Sequence, residues 1–223
     1  MSFEAREARE EWVQLCRTWE TDKENYHWFY PKILPPFRDK KLKILEIGVH
    51  YGSSLLLFDD YFHNAEIYGL DIDGTKWKAG KFKEDIEKRP NIKIIEGSQS
   101  DVEVLFNLCN NYGSFDIIID DGSHLIEDII CSFEMLKNNF SGLYIIEDTA
   151  LTLTGKYCEI INNKKLPFIK KLCKDNNSAL FQDRNVYENY WSDKIRDLDK
   201  GQSKFSSITF LPNIMYIESQ QNG

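Results

Sequence analysis

Five short apolar segments recur along this 223-residue chain, and each of the first four leads into a stretch with helical character. They are Lys43–Ile47 (KILEI), Glu66–Leu70, Ile92–Glu96, Phe115–Asp120 (FDIIID) and Gly142–Glu147 (GLYIIE). Their lengths suit strands, and their near-continuous apolar character suits strands covered on both faces. The intervening helices are read at Ser53–Phe62, at about 75–89, at about 101–111 and at Leu125–Lys137. Repeated βαβ units make a parallel sheet with right-handed crossovers. The end of the chain differs, because only Pro212, Asn213 and Ile214 separate the strand patterns Ser207–Leu211 and Met215–Glu218. That spacing predicts a hairpin. The expected fold is α/β and Rossmann-like: a mostly parallel seven-stranded sheet, helices on both faces, and an antiparallel C-terminal hairpin.

The turn after the first strand, Glu46-Ile47-Gly48-Val49-His50-Tyr51-Gly52, is a candidate cofactor loop. Gly48 lets backbone approach a ligand closely, and Gly52 eases entry into the helix. The GxxxG spacing is not the GxGxxG of a dinucleotide turn. Glu46, two residues before the first glycine, would repel a pyrophosphate but suits a cationic amino-acid end. S-adenosylmethionine is favoured over NAD on that ground. Asp71, closing the second strand, is the candidate for the ribose hydroxyls, and Ser98 and Gln99 after the third strand stand where an adenine edge would lie.

Two acidic turns end the fourth and fifth strands: Asp120-Asp121-Gly122-Ser123-His124 and Glu147-Asp148-Thr149. As neighbouring strand ends they are expected to gather four carboxylates and an imidazole in one crevice. Like charges so close need a cation or donors, and oxygen donors without thiolate favour a hard ion, Mg²⁺ before Ca²⁺ or Mn²⁺. Such an ion would acidify an acceptor hydroxyl, with His124 as general base. Blander roles exist for single members: Ser123 can cap the next helix, and Asp148 can close a turn.

The ordered motifs resemble those of the Mg²⁺-dependent, S-adenosylmethionine-dependent sugar O-methyltransferases, the family that methylates deoxysugars of macrolide antibiotics. Those motifs are Thr21-Asp22-Lys23 with His27 and Tyr30, ILEIGVHYGSSL (Ile44–Leu55), YGLDID (Tyr68–Asp73), EGSQSD (Glu96–Asp101), IDDGSH (Ile119–His124) and LYIIEDT (Leu143–Thr149). The resemblance runs from about Thr21 to Thr149 and implies a class I methyltransferase fold. It implies metal ligation by Asp121, Glu147 and Asp148, with His124 as the base. Asp120 would face the cofactor, and the Thr21–Tyr30 segment, with Thr21 and Lys23, would fold over its methionine end. The large N-terminal domain of the macrolide enzymes has no counterpart here, which leaves acceptor and oligomeric state, a homo-oligomer included, open. The expected acceptor is a sugar-containing small molecule, nucleotide-linked or part of a surface glycan. A catechol-like phenol is the alternative acceptor, and an oxidoreductase or a non-catalytic binding protein stands further off.

The organisation expected is one domain, with residues 1–40 as a helical segment covering the cofactor site, 41–223 as the methyltransferase domain, and 150–202 as a lid over the acceptor. Within the first part, Phe3–Trp19 carries Trp12, Leu15, Cys16 and Trp19 at helical spacing, and Tyr26–Phe37 reads as a second helix stopped by Pro35 and Pro36. The lid holds the aromatic run Phe181–Trp191 and the basic residues between Lys164 and Lys174. A net charge of −8 argues against a nucleic-acid partner. No apolar run approaches the roughly 20 residues of a membrane span, and the charged start is unlike a signal peptide, so a cytoplasmic location is expected. Five scattered cysteines without a CxxC argue against a zinc site or a disulfide framework.

Overall fold

The computed structural model describes residues 2–149, 190–198 and 204–220. The chain divides into two compact units, Met1–Ser98 and Gln99–Gly223. Most of the lid expected over 150–202 lies outside the described residues, as does the basic run Lys164–Lys174.

In the first unit, helix α1 (Phe3–Trp19) begins where the Ser2 hydroxyl accepts the Ala5 N–H at 3.2 Å, and ends at Glu20 in left-handed backbone. It buries Trp12, which stacks on Tyr30 at 4.8 Å and meets Tyr61 edge-on at 5.3 Å. The single helix expected over Tyr26–Phe37 is instead a 3-10 turn at Asp22–Tyr26, a short helix α2 (Tyr30–Ile33) and a second 3-10 turn at Pro35–Phe37. Pro31, Pro35 and Pro36 each withhold an N–H, so no continuous α-helical ladder can form there. Strand β1 (Leu42–Ile47) pairs in parallel with β2 (Ala65–Asp71), and β2 with β3 (Ile92–Glu96). Helix α3 (Ser53–Tyr61) follows β1 and buries Leu55, Leu56, Leu57 and Phe58. The charged helix expected over about 75–89 is two short ones, α4 (Thr75–Ala79) and α5 (Lys83–Glu87), divided where Gly80 takes extended backbone.

In the second unit, helix α6 (Val102–Tyr112) is capped by Asp101, whose carboxylate accepts the N–H groups of Glu103 and Val104. Strand β4 (Phe115–Asp120) pairs in parallel with β5 (Phe140–Glu147), with α7 (Ile126–Leu136) between them in sequence. The hairpin is present: β7 (Ile214–Ser219) lies antiparallel between β5 and β6 (Phe205–Leu211). Residues 190–198 are helical, and buried Trp191 packs 4.9 Å from Phe133. Glu134 of α7 accepts from Tyr190 at 2.5 Å and Lys194 at 2.7 Å and also pairs with Lys137. Burial pushes the Glu134 pKa up, but its donors Lys137, Lys194 and Tyr190 outweigh that and bring it to about 2.

The seven strands run in the order β3-β2-β1-β4-β5-β7-β6, the mostly parallel sheet with an antiparallel end that the apolar pattern predicts. Among the described residues, no helix is long and apolar enough to cross a membrane, and Cys16, Cys109 and Cys131 are free thiols.

Candidate active site

In the first unit, the turn leaving β1 is shaped by positive φ at Gly48 (92°), His50 (52°) and Gly52 (83°). Gly48 donates its N–H to the Leu70 carbonyl at 2.8 Å, which ties the turn to the end of β2. A Cβ at Gly52 would collide with Cδ1 of Ile86. Asp71 holds the same turn from the other side. Its Oδ2 accepts the Val49 and His50 N–H groups, both at 2.8 Å, and its Oδ1 accepts that of Asp73 at 2.9 Å. Asp71, the carboxylate expected at the ribose, thus also fastens the turn after β1.

Glu46 is fully buried, accepts the Ser54 hydroxyl at 2.5 Å, and lies 3.5 Å from Nζ of Lys23, which is equally buried. A cation therefore stands beside Glu46, and it is supplied by the chain. The 3-10 turn at Asp22–Tyr26 brings it there: the Thr21 hydroxyl accepts the Lys23 N–H at 3.4 Å, and the Lys23 carbonyl accepts the Trp12 indole N–H at 3.1 Å. Ser98, half-buried, follows β3.

In the second unit, the paired acids at each strand end separate. Asp120 and Glu147 close their strands and are buried at 1% exposure, while Asp121 and Asp148, the first residues past the strand ends, are partly exposed. Asp120 turns inward, accepting Ser132 Oγ at 2.6 Å, Gln99 Nε2 at 3.1 Å and the Gly122 N–H at 3.4 Å. Burial raises its pKa to about 6 against the pull of Ser132 and Gln99. Gln99 also accepts the Ser123 N–H through Oε1 at 2.7 Å, so one amide braces both ends of the 120–123 loop. Ser123 does not cap α7 directly; its hydroxyl accepts the Leu125 N–H at 3.2 Å and donates to Asp128 at 2.7 Å.

What converges is Asp121, His124 and Asp148, with one ligand atom from each within 4.8 Å of the others. His124 Nε2 lies 3.8 Å from Asp121 Oδ1 and 4.0 Å from Asp148 Oδ2. Asp120 and Glu147, expected in the same crevice, are not members of this trio. His124 (φ 55°) and Asp148 (φ 54°) both sit in left-handed backbone. That conformation costs a non-glycine residue on the order of 1–3 kcal/mol and collects at functional sites. Two carboxylates and an imidazole at this spacing fit a hard divalent cation, whose charge would offset their crowding.

Four residues of these networks escape a reading of motifs alone. Ser54 at Glu46 and Tyr144 at Asp120 lie inside the matched motifs but carry no role there, and Ser132 at Asp120 is an ordinary helix residue in the sequence. Asn213, whose Nδ2 donates to Asp148 Oδ1 at 2.7 Å, carries one legible signal: an asparagine directly after proline in a short turn tolerates positive φ.

No protein-family model matches the chain. Mycinamicin VI 2''-O-methyltransferase of Micromonospora griseorubida is 30% identical over an alignment of 219 positions that covers 83% of this chain and 51% of that protein. The 8-demethyl-8-alpha-L-rhamnosyl tetracenomycin-C 2'-O-methyltransferase of Streptomyces olivaceus is 28% identical over an alignment of 218 positions that covers 91% of this chain and 53% of that protein. The MycE methyltransferase from the mycinamycin biosynthetic pathway, solved in complex with Mg and SAH, superposes with a TM-score of 0.70 at 23% identity, covering 95% of this chain and 55% of that one. The likeness in structure establishes a class I methyltransferase fold. The chain spans about half the length of the curated relatives it matches.

Proposed function

We propose that this chain, a relative of the sugar O-methyltransferases, moves a methyl group from S-adenosylmethionine to a hydroxyl of a sugar-containing small molecule. The convergence of Asp121, His124 and Asp148 carries the reading. Two carboxylates beside an imidazole at a strand end supply what O-methylation needs, a cation site and a base. The names of the relatives, all O-methyltransferases, support the same class of reaction.

In this reading Asp121 and Asp148 hold a divalent ion, Mg²⁺ by the hardness of its donors, with Glu147 as the third carboxylate. Bound there, the ion would supply Lewis acidity that lowers the pKa of an acceptor hydroxyl. His124 takes the proton that the hydroxyl oxygen loses as its bond to the methyl carbon forms and the carbon–sulfur bond breaks. The left-handed backbone at His124 and Asp148 fixes where those side chains project. In the first unit, Gly48 and Ser98 border the cofactor, and Asp71 sets the shape of the turn that receives it. Lys23 and Glu46 form a buried pair beneath that turn, with Thr21 anchoring the lysine. In the second unit, Gln99 and Asp120 keep the metal loop in shape, and Gln99 offers its remaining amide capacity to an adenine edge. Residues 1–40 serve as the cover of the cofactor turn, and 150–202 as the acceptor lid.

The test is transfer of labelled methyl from S-adenosylmethionine to a panel of nucleotide sugars, free glycosides and a catechol, with and without EDTA. Transfer to a sugar that stops in EDTA and returns with Mg²⁺ is the expected result. Undiminished transfer in EDTA would remove the metal from the mechanism, and transfer to the catechol alone would replace the sugar as acceptor.

A further inference from the structure

The turn of the β6–β7 hairpin does more than reverse the chain. Leu211 pairs with Ile214, so only Pro212 and Asn213 form the turn. Proline holds its φ near −65°, so the positive φ needed to close the turn falls on Asn213, at 61°. Ile214 pairs in turn with Glu147, which brings the turn alongside the end of β5. Asn213 then makes two bonds there. Its carbonyl accepts the Thr149 N–H at 3.2 Å, and its Nδ2 donates to Asp148 Oδ1 at 2.7 Å. Asp148, itself in left-handed backbone, is therefore gripped both at its side chain and at the peptide that follows it.

We propose that Asn213 is a positioning residue for the metal site, fixing Asp148 by occupying one carboxylate oxygen and turning the other toward the Asp121–His124 side. The inference rests on the cation reading above. The amide is suited to the task, since it donates without adding charge to a site already crowded with carboxylates. With Oδ1 held by the amide, Asp148 Oδ2 is the oxygen that faces the His124 ring, at 4.0 Å. The hairpin is thus a strut whose tip sets the direction of a ligand, and Asn213 acts only through Asp148.

The experiment measures affinity for Mn²⁺ by electron paramagnetic resonance and for Mg²⁺ by calorimetry, together with S-adenosylmethionine affinity and melting temperature, on the whole chain. Asn213→Gly keeps the positive φ and removes the donor. It is expected to weaken cation binding by about tenfold or more, as loss of a metal ligand's hydrogen-bond partner typically does, while cofactor affinity and melting temperature stay close to wild type. In an Asp148→Asn background the same substitution should have no further effect on the cation, because its route of action is gone. Cation affinity equal to wild type in Asn213→Gly, or an additive loss in the double variant, overturns the positioning role and leaves the cation reading standing. Should the glycine variant fail to fold, Asn213→Asp keeps the turn and the side-chain shape, and cation affinity equal to wild type there overturns the role equally. A wild-type chain that binds neither ion overturns the cation reading and this inference together.

Discussion

The turn after β1 and the turns after β4 and β5 occupy equivalent places at strand ends, yet they treat their charges in opposite ways. At the first, Asp71 spends its oxygens on three backbone N–H groups, and Glu46 is matched by Ser54 and Lys23. At the second, Asp121 and Asp148 are brought toward each other around His124, two of the three residues in left-handed backbone. Charges matched in place stabilise a shape, whereas like charges set close together favour a cation and chemistry. Damage at the first turn should therefore register in stability, and damage at the second in turnover.

The sharpest break between them is His124→Ala. Loss of a general base is expected to lower methyl transfer by about 10²- to 10⁴-fold, with Mn²⁺ binding, cofactor affinity and melting temperature retained. Loss of Mn²⁺ binding along with turnover would recast the imidazole as a ligand. A large fall in melting temperature would erase the contrast between the two turns.

Glu46→Gln probes the opposite pole. Removing one partner of a buried ion pair leaves the Lys23 ammonium buried without its carboxylate, at a cost of about 3 kcal/mol. For a chain of this size that is roughly a 10 °C lower melting temperature by calorimetry. An unchanged melting temperature would show that the pair does not hold the turn.

Gly52→Ala comes next, at about 2 kcal/mol, from strain at φ 83° and the collision with Ile86. Ile86→Val, which deletes the colliding Cδ1, should recover part of that loss in the double variant. Gly113→Ala, also at positive φ but with nothing within 4 Å, should carry the strain alone and cost less. Equal losses at the two glycines would mean that the Ile86 contact is not what shapes the turn.

The smallest effect is at Glu134→Gln, which lies in α7 and belongs to neither turn. Its carboxylate pairs are partly exposed, so about 1 kcal/mol is the scale, or roughly 2–4 °C. Because the folded-state pKa is depressed to about 2, the stabilisation is present above the ordinary carboxylate pKa and fades as pH falls through about 2. Melting curves of the variant and wild type should therefore differ at neutral pH and converge in strong acid.

The strands were legible because burial on both faces writes an unbroken apolar run, and KILEI and FDIIID need no tertiary context to be read. The hairpin was equally plain from the short spacer at Pro212. Helix boundaries were less so. Gly80 and Pro31 act through a single backbone angle or a missing N–H, which periodicity averages over. At the site, residue types marked the strand-end turns, but not the side chains that brace them. The resemblance set Asp120 apart from Asp121, but not the partners that hold Asp120, the Gln99 amide and the Ser132 hydroxyl, which lie 21 and 12 positions away. Nor did the sequence indicate that Lys23 would stand beside Glu46, since that pairing depends on where a 3-10 turn delivers a side chain.

The grip of Asn213 on Asp148 spans 65 positions of the chain. Contacts that distant form only after a long loop has closed, so they come late in folding. During synthesis, β4 and β5 can pair before β7 exists, but the oriented carboxylate must wait for the hairpin. On the cation reading proposed above, a half-made chain would own a parallel sheet and still lack a finished cation site. Cation affinity would then report that the last strand has been laid down correctly, a property that bulk helix content, measured on the same molecules, would miss.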